Sequence, residues 1–89
     1  MAFQSKNLSV LAYANGFTLW HYTTADAAAD VDTQGYFNGA GDMLRAGDML
    51  MANVNTGGAP AAGIFLVNAS AAGVVDVADL TAVGAADTD

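Results

Sequence analysis

The sequence predicts a mainly β fold, a small β-barrel or β-sandwich with one short helix at about residues 25–34. Three observations carry that expectation. Helix formers other than alanine are scarce, with no glutamate, one lysine and one arginine in 89 residues, so a helical bundle lacks the residues that usually coat its outside. Two β-prone runs flank Asn15-Gly16, the strongest short hairpin signal, because a type I′ turn needs positive φ at both positions. Short apolar runs then alternate with glycine-rich turns, a pattern of small all-β folds.

In chain order, residues 1–7 form an N-terminal arm in which Phe3 is the main apolar residue after Met1. The hairpin follows, Leu8–Ala14 and Phe17–Thr23. On the second strand Phe17, Leu19, His21 and Thr23 share one face, and Thr18, Trp20 and Tyr22 share the other. Both faces are bulky, so neither reads as freely solvated. The segment Thr24–Asp32 reads as the short helix, with Thr24 or Asp26 accepting first-turn N–H groups and Gly35 ending it. A six-residue repeat places Gly41-Asp42-Met43-Leu44 in a turn or half-helix. Its second copy, from Gly47, opens a strand, Met49–Val54. Gly57-Gly58 and Pro60 mark a loop. Gly63–Asn68 is the most apolar short run and reads as a buried strand, Ser70–Gly73 as a turn, and Val74–Ala78 as a strand with Val75 and Val77 on one face. Residues 8–80 make one compact β domain, and 81–89 an acidic tail.

Composition removes several function classes. Twenty of the apolar residues are alanine, so the core is modest for a chain that is marginal at this size. No cysteine is present, which excludes disulfides and thiolate metal sites. Nine aspartates against two basic residues give a net charge of −7. That balance argues against nucleic acid, which recruits positive surfaces, and against anionic membranes. No apolar run approaches a membrane span, and the first residues do not resemble a signal peptide.

Chemistry-bearing residues are few. His21 is the sole histidine; with no indicated nucleophile beside it, a packed, hydrogen-bonded role outweighs catalysis. Asp26, Asp30 and Asp32 do not follow the twelve-residue calcium loop and read as a solvated acidic face. Asp42 and Asp48 read as turn aspartates bonding local backbone. Gly39-Ala40-Gly41 and Gly57-Gly58 lack the lysine of a phosphate cradle and read as turns. No catalytic residue, metal or cofactor is expected. Phe3, Trp20, Tyr22, Tyr36 and Phe37 are the candidate interface residues, since aromatics with an apolar body and polar tip are enriched at contacts. Trp20 suits core and contact equally.

The run Gly16–Asp26, then Val31, Gly35-Tyr36-Phe37-Asn38, Leu44, Gly47-Asp48 and Gly73-Val74-Val75, resembles small virion proteins of tailed bacteriophages and gene transfer agents. Within that group it is most similar to capsid decoration (cement) proteins. The resemblance spans roughly residues 8–78 and carries over no catalytic residue. It implies a non-enzymatic structural protein, a homotrimer on the outer capsid surface, bound to the major capsid protein and assembled in a bacterial cytoplasm. The same group includes head-spike, fibre and tail attachment bases, the alternative placement. A small ligand-binding module or enzyme is a third reading, which the poor inventory of reactive side chains disfavours.

Overall fold

A computed structural model describes residues 3–84. Its strands are β1 (Leu8–Ala14), β2 (Phe17–Thr23), β3 (Met49–Val54), β4 (Ala61–Ala71), β5 (Val74–Val77) and β6 (Thr81–Ala82), with one helix, α1 (Ala28–Val31). They form one mixed six-stranded sheet ordered β1-β2-β3-β4-β5, with β6 beside β4. All neighbours are antiparallel except β2 and β3, which are parallel. Parallel neighbours need a long crossover, and residues 24–48, which hold α1 and a 3-10 turn at Asn38–Ala40, supply it.

The mainly β expectation holds. The closed barrel or two-layer sandwich does not: β1 and β5 lie at opposite ends of the sheet, which stays open. The molecule is correspondingly flat, 44 × 30 × 21 Å.

The hairpin forms as its turn chemistry dictates. Asn15 (φ 55°) and Gly16 (φ 85°) both occupy the left-handed region that a type I′ turn requires. Ala72 (φ 54°) and Gly73 (φ 79°) repeat this geometry between β4 and β5, so the turn expected over Ser70–Gly73 is confined to its last two residues. Strand β4 is accordingly longer than the expected Gly63–Asn68. Its first half pairs with β3 and its second with β5, and the pairing shifts between Val67 and Ala69. A bulge of that kind bends a strand from one partner to the next.

The helix is the largest departure: four residues instead of about ten. Its N-cap is Ala27, with no side-chain cap. Thr24 Oγ1 instead accepts the Asp26 N–H at 3.0 Å, closing a local turn before the helix begins. An alanine-aspartate segment without Glu–Lys pairs has little to extend it. Gly35 sits past the helix with φ 93°, and its N–H donates to the Val75 carbonyl, tying the crossover to β5.

The core lies between one sheet face and this crossover. Adjacent strands place Trp20, Leu50 and Phe65 in one row, and Tyr22, Ala52 and Gly63 in the next. Val31, Phe37, Ala40 and Leu44 cover them from the crossover, and Val67, Val75 and Val77 complete the cluster. Fully burying one such large side chain contributes roughly 1.5–3 kcal/mol. The second row narrows from tyrosine to glycine for a reason. A Cβ on Gly63 would collide with the Thr81 carbonyl oxygen and stand 2.7 Å from Leu80, so β6 closes over this position only because no side chain is there.

At the ends, Ser5–Asn7 forms a 3-10 turn and Phe3 packs on the core, while Val83 N–H donates to the Ala62 carbonyl. Residues 3–7 of the expected arm, and Thr81–Ala82 of the expected tail, thus belong to the folded unit. Residues 85–89 of that tail lie outside the described residues.

Candidate functional site

Strand alternation creates two unlike sheet faces from the same three central strands. With Trp20, Leu50 and Phe65 inward, their neighbours must point outward. Leu19, Met49 and Leu66 form one outward row; His21, Met51 and Ile64 form the next; Thr23, Asn53 and Ala62 form a polar end. Phe17 extends the apolar end, opposite Ala14 of β1. Its ring lies over Gly47, where an added Cβ would meet Cε1 at 2.6 Å. Among the described residues no helix or loop covers these rows: Phe17 is 53% exposed, Met49 46%, Leu66 44% and Met51 42%. Shallow apolar hollows run along the surface, one of them rimmed by Asp79. The expectation that neither face of β2 is freely solvated holds for Leu19 and His21 and fails at Phe17. Trp20 and Tyr22 are buried on one face, whereas on the other Phe17 is exposed and Leu19 and His21 are half-buried.

A second exposed apolar region is β1 itself. Six of its seven residues are exposed, among them Val10, Leu11 and Tyr13. The pairing with β2 shifts between Val10 and Ala12, so Leu11 is the extra residue of a bulge.

Of the aromatics expected at contacts, Trp20, Tyr22 and Phe37 are core residues, buried at 7%, 0% and 1% exposure, and they have no surface to offer a partner. Phe3 and Tyr36 are partly buried and pack against that core. Phe3 stacks on Tyr22 at 5.6 Å and meets Phe37 edge-on at 5.5 Å, while Tyr36 meets Tyr22 and Phe37 edge-on. In an alanine-rich chain these rings are the volume available to fill the core.

The ring cluster carries a one-way hydrogen-bond chain. Tyr36 Oη donates to Asp26 Oδ2 at 2.6 Å. Tyr22 Oη, 3.0 Å away, then has Tyr36 as its acceptor and itself accepts the Gln4 N–H at 3.1 Å. Burial, the bond to Asp26 and the bond with Tyr22 hold the Tyr36 phenol far above the ordinary tyrosine range. It stays a neutral donor, and the chain fastens the N-terminal segment to the crossover.

Asp48, 1% exposed, is the other internal brace. It does accept a local backbone bond, from the Arg45 N–H at 3.2 Å, as a turn aspartate should. The same carboxylate also accepts the Trp20 indole N–H at 3.2 Å and the Thr18 N–H at 3.1 Å. It joins the β3 turn to β2 and leaves no oxygen directed at a cleft.

The remaining polar candidates are superficial. His21 Nε2 lies 2.9 Å from Asn53 Oδ1, a cross-strand pair at the polar end of the open face. The Asp32 carboxyl titrates above the usual carboxylate range, through local desolvation first and then the carboxylates of Asp79, Asp30 and Asp76. Among the described residues, no group of three or more His, Cys, Asp or Glu is placed to hold a metal ion. Nor, among them, is any buried side-chain polar atom without a hydrogen-bond partner, and no helix is long and apolar enough to cross a membrane.

Comparison with protein-family models, curated proteins and solved structures finds no match.

Proposed function

We propose that this chain is a non-enzymatic structural protein that acts by adhesion, and that its place is the outer surface of a bacteriophage head. The observation that carries the adhesive reading is the uncovered apolar sheet face around Met49. Contiguous exposed apolar patches mark contact surfaces in folded proteins. The polar side chains with the chemistry for catalysis are occupied structurally: Asp26 by Tyr36, Asp48 by three donors, His21 by Asn53. Placement on a capsid comes from the sequence resemblance, which also implies the major capsid protein as partner and several copies per assembly. A net charge of −7 agrees with an outer position, since such a surface does not compete for packaged DNA. Neither catalysis nor a cofactor has a part in this reading.

Cosedimentation with purified phage heads, followed by cryo-electron microscopy, tests it. The proposal expects saturable binding with many copies ordered on the capsid exterior. A few copies at one vertex or on the tail would assign the protein to an attachment base. No binding to heads or tails would reject a virion role.

A further inference from the structure

We infer that the open face of β2–β3–β4 is covered by a second copy of this chain, so that two single-layer sheets pack into one sandwich. Domains bury an apolar sheet face against another layer. Here the inner face has its layer, the crossover, whereas the outer face has none among the described residues. Two such sheets stack at about 10 Å with their side chains interleaved.

Three features favour an identical chain as the occupant. The first is area. Phe17, Met49, Met51, Leu66 and Val83 are 42–59% exposed, with Leu19 and Ile64 half-buried beside them, a contiguous apolar surface on the scale of the roughly 800 Å² per partner of a standard interface. The second is charge. The three outward rows hold no aspartate, glutamate, lysine or arginine, and Asp79 stands only at the rim. Two copies of net charge −7 can meet there without placing carboxylates in the contact. The third is texture. Met49 and Met51 are unbranched and adaptable, which suits a face that must fit its own image about a two-fold axis.

A face-to-face pair differs from the trimer that the resemblance implies, and mass decides between them. The inference takes from the adhesive reading only that this face is a contact surface. Sedimentation equilibrium of the full chain, from micromolar to near-millimolar concentration, is expected to show a dimer of twice 9.0 kDa. Because like-charged chains repel at low ionic strength, the dimer should tighten as salt rises from 0.01 to 0.2 M.

Met49→Lys places an unpaired charge in the middle of the contact while lowering the magnitude of the chain's own charge, and should weaken the dimer by roughly 100-fold or more. Tyr13→Lys, on β1, should leave the dimer unchanged. In wild-type dimers of mixed isotope labelling, Met49 and Met51 methyls should show intermolecular nuclear Overhauser effects, a readout independent of any variant's folding. A monomer at every concentration would overturn the inference. So would a trimer, an oligomer indifferent to Met49→Lys, or methyls without intermolecular contacts. Head binding is scored separately: binding without dimers ends this inference alone, and dimers without binding end only the placement on capsids.

Discussion

Phe65 and Leu66 are consecutive residues of β4, one 0% and the other 44% exposed, and the two sheet faces differ just as they do. Behind Phe65 lie the rings and aliphatic side chains of the crossover; in front of Leu66 lies solvent. The inner face is where this small chain obtains most of its stability, and the half-solvated outer face contributes far less. Exposed apolar residues that add little to the fold point to a use outside it.

The sharpest break of that contrast is a matched pair of substitutions. Phe65→Ala should cost about 3–5 kcal/mol, enough to unfold much of a marginal domain. Leu66→Ala should change stability by less than about 0.5 kcal/mol when measured at concentrations too low for self-association. Urea denaturation of both variants checks this, and similar losses would mean that the outer face is also core.

Asp48→Ala comes next. It strands the Trp20 indole and the Thr18 N–H inside the structure and should cost about 2–3 kcal/mol, read by the same denaturation.

Tyr36→Phe removes the donor to Asp26 and should cost about 1 kcal/mol. It also alters the alkaline limb. The folded-state pKa of Tyr36 is raised above its ordinary 10.0, so the folded state holds this proton more tightly than the unfolded one. The contribution is complete below pH 10 and is lost as pH rises beyond it. Denaturation midpoints of the wild type should therefore fall above pH 10, and those of Tyr36→Phe should fall less.

The smallest effect is at the acidic cluster. The Asp32 pKa is raised above 3.8, so its favourable contribution is present at pH values below 3.8 and declines as pH rises past it. At neutral pH, Asp32→Asn should stabilise by a few tenths of a kcal/mol, and 1 M salt should erase the gain. Thermal melts of both proteins in low and high salt measure it.

Much of the inner face was legible in the sequence, and the outer face only in part. Asn15-Gly16 announced the hairpin because few other pairs accept two positive φ values. Met49–Val54 was readable from its turn and its alternation. The turn within Ser70–Gly73 was readable from its glycine, but not its confinement to Ala72-Gly73, because alanine in the left-handed region is held by its context and not by preference. The ends of β4 were hidden for a related reason: Ala61, Ala62, Ala69 and Ala71 are weak strand formers that pair because their neighbours are already in place. The helix is shorter than the sequence suggests, since Thr24 and Asp26 look like caps but bond elsewhere. The bulk on both sides of β2 was visible; which side would be covered was not, because that depends on where a 25-residue crossover lands. The sequence spacing of 28 residues between Trp20 and Asp48 likewise conceals their bond. No local pattern signals it.

Methionine oxidation gives the most direct test of the two-face account, because the chain supplies its own control. Met49 and Met51 stand on the outer face, while Met43, 39% exposed, stands on the crossover turn. Hydroxyl-radical footprinting with mass spectrometry should find all three reactive in dilute protein. At concentrations or on particles where the protein assembles, Met49 and Met51 should become protected while Met43 stays reactive. Equal reactivity of all three in every state, or protection of Met43 alone, would contradict the claim that the open sheet face is where this protein holds on.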